Sequence, residues 1–397
     1  MGDVKLPKGI FLRKDGLYMG RFKHQGQTYT IYGRNWRKLE KELSDYKYEI
    51  THGLKSKGAN MTLNTWFNTW LYDFKRLTIK ESTFIRYQNQ YDLYIRKEIG
   101  MRKMDSFKPI IIQRLVNKLA AADYSTKTIA DIHSLLHGIF RVAVQNNVIL
   151  TNPCEAVVLP KTKEKEIRVL SVEEQKEILK FSKGRTCESL VRVALGTGLR
   201  AGELLALTWE DIDFQKREIY VNKTLVYIRD VNTNKYRFKF QTPKTKSGNR
   251  TIPMQESVYE ALKEQYNRIQ QMKKYAKSWN VIKGFENLVF LNSTGRPKQV
   301  IDFRNTLRVI EKAINEDRKK RAEEEGIIYS PIQHFSCHSL RHAFATRCLE
   351  ANIDVKVIQR ILGHSHYATT MDIYVHATND KTREEMNKLE GLYKEIE

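Results

Sequence analysis

Five side chains in the second half of the chain have the types and settings needed to break a phosphate ester. They are Arg200 in Thr197-Gly198-Leu199-Arg200-Ala201-Gly202-Glu203-Leu204, His338 and Arg341 in His338-Ser339-Leu340-Arg341-His342, His364 in Ile361-Leu362-Gly363-His364, and Tyr374 in Thr369-Thr370-Met371-Asp372-Ile373-Tyr374. A phenol oxygen that attacks phosphorus forms a covalent phosphotyrosine and so conserves the energy of the ester it replaces. The pentavalent phosphorus carries extra negative charge. Two guanidinium forks can each donate parallel hydrogen bonds to its non-bridging oxygens, and imidazoles add further donors. Loss of one such preorganised donor costs roughly 100- to 1,000-fold in rate. This chemistry calls for no metal and no cofactor. Tyrosine alone signals little, since the chain holds 20 of them. Tyr374 is set apart by its place ten residues after His364, whereas Tyr367 and Tyr393 lie outside the motif. A free phenol has a pKa near 10, so neighbouring cations or a base must favour its ionised form.

Taken in order, these motifs resemble the tyrosine recombinases of the phage integrase family, and the N-terminal extension is similar to that of conjugative-transposon integrases. The resemblance implies a site-specific DNA recombinase that integrates and excises a mobile element by cutting and rejoining DNA through a 3′-phosphotyrosyl intermediate. Tyr374 is then the nucleophile, and Arg200, His338, Arg341 and His364 bind the scissile phosphate. Lys244, in Thr242-Pro243-Lys244-Thr245-Lys246, is the expected general acid for the leaving 5′ oxygen, with Lys246 as its competitor. Glu203, three residues after Arg200, can hold that guanidinium. Double-stranded DNA with core and arm-type sites, a homotetramer on DNA, and accessory DNA-bending or excision factors are the implied partners. Two other functions use much of the same sequence. A type IB topoisomerase shares the chemistry but exchanges no partners, and a non-catalytic DNA-binding regulator needs the charge but not the full catalytic set.

A zinc site is a further reading of Cys337, His338, His342 and Cys348, but Arg341 between the histidines would repel a cation and no Cys-x-x-Cys or His-Glu-x-x-His pattern accompanies them. No metal is therefore expected, and His342 reads as a packing histidine. Lys and Arg total 69 against 46 Asp and Glu, a formal net charge of +23, which suits a polyanionic partner. Four widely spaced cysteines without a signal peptide suggest a reduced, cytoplasmic protein. No apolar run approaches the roughly 20 residues that cross a bilayer, which argues against a membrane role.

At 397 residues the chain exceeds the usual limit for one hydrophobic core. The expected fold is multidomain and mostly α with small β elements. Residues 1–58 read as an N-terminal arm-type DNA-binding domain. Alternation over Leu17–Lys23 and Thr28–Tyr32 about a Gly turn predicts a hairpin, with Ile10–Arg13 a possible third strand. Trp36, Leu39, Leu43, Tyr46 and Ile50 form a helical stripe able to cover one sheet face. Arg21 and Lys23 fall on the other face as candidate DNA contacts. Gly53–Asn60 reads as a linker.

Residues 61–160 read as a helical, SAM-like core-binding domain. Helices are expected over Leu63–Phe74, Ser82–Glu98, Lys108–Ala121 and Ser125–Gln145, with Lys80, Arg86, Lys118 and Lys127 as candidate phosphate contacts. The catalytic domain is expected at residues 166–379, mixed α/β, opening on a capping box at Ser171–Glu174. Lys244 is expected on the basic tip of a β-hairpin. Residues 380–397 form a tail with helical periodicity. Sequence leaves open whether that tail docks on its own domain or on a neighbouring protomer.

Overall fold

The computed structural model describes residues 6–24, 26–51, 61–161, 168–230, 233–243, 246–364 and 371. The expected linker at Gly53–Asn60, the Lys244 position, the Tyr374 motif and the C-terminal tail lie outside the described residues. The chain divides into two compact units, Met1–Glu164 and Lys165–Glu397.

The first unit begins with three antiparallel strands in the order β1 (Ile10–Leu12), β2 (Tyr18–His24) and β3 (Gln27–Gly33), followed by helix α1 (Trp36–Thr51). Asn35 starts α1 by accepting hydrogen bonds from the Arg37 and Lys38 amides. Leu39 and Leu43 of α1 bury against Ile10, with Tyr18, Phe22, Ile31 and Trp36 packed around them. Tyr46 adds an edge-on contact to Phe22 at 5.7 Å. The strand alternation thus turns Tyr18 and Phe22 toward the helix, and Met19, Arg21 and Lys23 away from it.

The rest of this unit is helical: α2 (Leu63–Thr69), α3 (Glu81–Gln90), α4 (Pro109–Ala121) and α5 (Thr126–Gln145). Helices α2 and α3 do not continue as regular α-helix as far as the periodicity suggests. Each passes into a π-helical turn, at Trp70–Lys75 and Tyr91–Ile95 respectively. These wider turns bury Trp70, Leu71, Tyr91 and Ile95. Tyr91 stacks on Phe67 at 3.6 Å and donates to Asn64 at 2.8 Å. A purely 3.6-residue reading misses such a shift of register. Trp66 donates to the Ile139 carbonyl at 3.1 Å, tying α2 to α5. Trp66, Phe67 and Trp70 are therefore core, while Phe74 at the end of the stripe is exposed.

The second unit opens with α6 (Val172–Ser182), capped as expected: Ser171 Oγ accepts from the Glu174 amide and Glu174 accepts from the Ser171 amide. Then come α7 (Glu188–Thr197), α8 (Ala201–Leu204), β4 (Ile212–Asp213), β5 (Glu218–Val221), β6 (Thr224–Arg229), β7 (Tyr236–Gln241), β8 (Arg250–Pro253), α9 (Glu256–Tyr275), α10 (Val300–Glu325), α11 (Cys337–Glu350) and α12 (Val355–Leu362). One sheet has the order β4-β5-β8, and β6 pairs with β7 in a second.

The hairpin expected around Lys244 needs correction. β7 pairs back on β6, while β8 pairs with β5, with Ile219 opposite Ile252 and both buried. The basic segment between β7 and β8 therefore crosses from one sheet to the other. Burial of Ile252 against Ile219 decides the pairing, and local turn signals carry no information about it.

Among the described residues no helix is long and apolar enough to cross a membrane. Cys154, Cys187, Cys337 and Cys348 are free thiols.

Candidate active site

Arg200 sits at the N-cap of α8, immediately after α7 ends in a left-handed turn at Gly198. A Cβ at Gly198 would lie 2.4 Å from the Phe344 ring, so glycine is required there both for its φ of 62° and for the close approach of α11. Glu203 holds Arg200 twice: Oε1 accepts from Nη1 at 2.8 Å, and Oε2 accepts from the Arg200 backbone amide at 3.1 Å. The remaining terminal nitrogen, Nη2, donates to the Gly363 carbonyl at 3.2 Å.

Arg341 projects inward from α11 and is 2% exposed. Its two terminal nitrogens donate to the Gly198 carbonyl at 2.8 Å and the Leu362 carbonyl at 2.7 Å. Burial, then the Arg200 charge, lowers its pKa to about 9, which leaves it protonated at neutral pH. The two arginines thus grasp consecutive carbonyls at the end of α12, directly ahead of His364.

α12 stops at Gly363, whose φ is 66° and whose added Cβ would lie 2.9 Å from the Ser247 carbonyl. His364 follows, buried at 9% exposure, with its backbone amide donating to Gln359. Burial, then Arg341 and Arg200, lower its pKa to about 3. His338, at the start of α11, is open to solvent, yet desolvation, then Arg341 and Arg200, still hold its pKa below the ordinary imidazole value. At neutral pH both rings are uncharged, each with one N–H to donate and one nitrogen to accept. His342 stacks edge-on against His338 at 5.0 Å, and burial, then His338, lower its pKa to about 4. Its Nδ1 has no partner, in keeping with a packing role. Among the described residues no group of three His, Cys, Asp or Glu side chains could hold a metal.

The site also contains a residue that sequence reasoning passed over. Arg250, the first residue of β8, donates from Nη2 to Glu203 Oε2 at 2.8 Å, from Nε to the Ile361 carbonyl, and from Nη1 to the Gly248 carbonyl at 3.2 Å. It lay hidden in a run of basic residues. The only available signal was the alternation of Arg250 with Ile252, which turns both to the same buried face.

So the structure brings together Arg200, Glu203, His338, Arg341 and His364. The side chain of Lys246, like all of Lys244 and Tyr374, lies outside the described set. In the first unit, Arg21 and Lys23 are exposed on β2, with the Arg21 guanidinium 5.7 Å from the Phe11 ring. Lys80 occupies the N-cap of α3, and Arg86 is exposed beside Tyr87. Lys127 pairs with Asp131 and Lys118 with Glu98, each at 2.7 Å on the surface. Exposed pairs of this kind hold by only about 0.2–1 kcal/mol, so a phosphate can displace either carboxylate.

Residues 168–381, more than half of the chain, match the model of the phage integrase family. The chain belongs to that family. Residues 62–120 match its N-terminal SAM-like domain. The chain is 33% identical to a XerC-like tyrosine recombinase of Caldanaerobacter subterraneus subsp. tengcongensis, covering 91% of each chain. It is 28% identical to the transposase of transposon Tn916 from Enterococcus faecalis, covering 97% of this chain and 94% of that one. The solved structure of the Tn1549 transposon integrase in complex with a circular intermediate DNA superposes with a TM-score of 0.67 at 27% identity, covering 83% of this chain and all of that one. A lambda integrase tetramer bound to a Holliday junction shares the fold, with a TM-score of 0.53 at 19% identity. This phage integrase family member is a tyrosine recombinase, and the relaxing-enzyme and regulator alternatives are not favoured by these relatives.

Proposed function

We propose that this recombinase integrates and excises a conjugative element by cutting and rejoining double-stranded DNA one strand at a time. The observation that carries the reading is the convergence of the two guanidiniums on the Leu362 and Gly363 carbonyls beside His364. Among the described residues Arg341 pairs with no carboxylate, and Glu203, the carboxylate that pairs with Arg200, is shared with Arg250, so a phosphodiester supplies the missing anion.

Tyr374 attacks phosphorus. The phenol oxygen–phosphorus bond forms as the phosphorus–O5′ bond breaks, leaving a 3′-phosphotyrosyl link and a free 5′ hydroxyl. Lys244 gives the proton that the departing O5′ needs, with Lys246 as its competitor, and the phenol proton passes to a base or to solvent. Arg200, Arg341, His338 and His364 hold the non-bridging oxygens, and Glu203 orients Arg200. Attack by the 5′ hydroxyl of the partner strand reverses the step and releases the tyrosine, so no external energy source is required.

The sheet module of residues 1–58 presents Arg21 and Lys23 to arm-type sites. The helical domain of residues 61–160 presents Lys80, Arg86 and Lys127 to the core site. The catalytic domain spans residues 166–379, and the tail of residues 380–397 follows it. Strand exchange between two duplexes requires four active sites, hence a homotetramer on DNA, with accessory bending or excision factors setting direction. The test is covalent capture: a nicked duplex that loses its 5′ fragment on cleavage should trap the wild type as a protein–DNA adduct. Absence of an adduct on every end sequence of the element would contradict the reading.

A further inference from the structure

Arg250 lies outside the set of groups that contact phosphate in the mechanism above, yet it is bound to two of the elements that position them. Its side chain is 2% exposed. Through Glu203 it reaches the residue that grips Arg200, and through the Ile361 carbonyl it reaches the end of the helix that delivers His364. Its Nη1 lies only 3.0 Å from where a Cβ would stand on Gly363. The β7–β8 crossover, α8 and the end of α12 therefore meet at one guanidinium.

The electrostatics add a second consequence. Glu203 is buried, which raises its pKa, but Arg250 and Arg200 together outweigh this and keep it ionised. A single carboxylate is thus shared by two guanidiniums, and the cluster keeps a net positive charge. Without Arg250, Oε2 of Glu203 loses its second partner. The carboxylate can then turn to grip the Arg200 fork with both oxygens, neutralising it and drawing it from the phosphate.

We propose that Arg250 is a positioning residue of the recombination reaction, which keeps Glu203 from cancelling the charge that Arg200 brings to the phosphate. The inference rests on the recombinase mechanism given above. It concerns charge delivered to the phosphate, so it can be read from a substrate that lacks that charge.

The experiment uses the full chain and a nicked suicide duplex whose cleavage position has been mapped by capturing wild-type adducts. Single-turnover adduct formation is compared on the ordinary phosphodiester and on a methylphosphonate, in which a methyl group replaces one non-bridging oxygen and removes the negative charge. Arg250→Gln should form adduct roughly 10- to 100-fold more slowly than wild type on the phosphodiester, the scale of loss that a displaced catalytic group produces. On the methylphosphonate the two proteins should differ by no more than about threefold, since little charge remains to be neutralised. Arg250→Lys keeps the charge but cannot span Glu203 and Ile361 together, and should fall between them.

Because both substrates meet the same protein, a misfolded fraction would lower both rates equally. Equal losses on the two substrates, or no loss on either, would overturn the proposal. A wild type that forms no adduct at all would instead refute the recombinase mechanism, and this inference with it.

Discussion

Arg341→Lys isolates geometry from charge, and its two effects can be worked out separately. The guanidinium uses its two terminal nitrogens to satisfy the Gly198 and Leu362 carbonyls at 2.8 and 2.7 Å. A lysine ammonium in the same buried space can reach one of them. The other carbonyl is then left buried and unpaired, at a cost of about 1–3 kcal/mol. A unit of this size shifts its melting temperature by about 2–4 °C per kcal/mol, so the catalytic unit should melt roughly 2–12 °C lower. A domain that melts in the usual range of about 45–65 °C stays folded at 25 °C after such a shift. The rate should nonetheless drop by roughly 100- to 1,000-fold, equivalent to about 2.7–4 kcal/mol, because the planar fork proposed to hold the phosphate is gone. Thermal unfolding of the full chain and single-turnover cleavage of a nicked duplex, measured on one preparation, give both numbers. A variant that cleaves within about threefold of wild type would refute the assignment of Arg341 as a phosphate ligand. An unchanged melting temperature would refute its role in holding the two carbonyls.

Two other outcomes are expected. Arg21→Ala removes a cation from the outer face of the N-terminal sheet, and should weaken arm-site binding and flatten its salt dependence while leaving crossover cleavage unchanged; unaltered arm-site affinity would remove Arg21 from that contact. The histidines make stability depend on pH: His342 and His364 are held near 4 and 3 when folded, against an ordinary value near 6.5, so below about pH 6.5 the unfolded chain binds more protons. Their contribution to stability is complete above that pH and declines as pH falls from there through about 4 for His342 and about 3 for His364, a loss that thermal unfolding from pH 7 downward should register. His342→Gln should flatten the decline, and an unchanged slope would refute the assignment to that ring.

Much of this architecture can be read in the sequence because the relevant signals are local. The Ser171 capping box, the Gly363 stop after α12 and the alternation through β2 each depend on residues within one turn or one strand. The two arginines that the fold brings together at the end of α12 are equally legible, since Arg200 and Arg341 each lie in a distinctive motif. What escaped were the features set by partners far along the chain. Whether β8 pairs with β7 or with β5 depends on Ile219, more than thirty residues earlier. The π turns after α2 and α3 accompany contacts between residues far apart in the chain, such as Tyr91 stacked on Phe67, which local periodicity does not register. Arg250 looked like one more cation in a basic segment because its partners, Glu203 and Ile361, stand 47 and 111 positions away. Charge pattern alone cannot separate a buried clamp from a solvated lysine or arginine.

The central claim is that these cations serve a phenol that attacks a DNA phosphate. Its most direct test is to incubate the full chain with a nicked suicide duplex, digest the trapped adduct and locate the modified residue by mass spectrometry. The nucleotide should be found on Tyr374 through a 3′ phosphate, and Tyr374→Phe should abolish the adduct while DNA binding persists. A nucleotide on another tyrosine, or an adduct that survives Tyr374→Phe, would contradict the account.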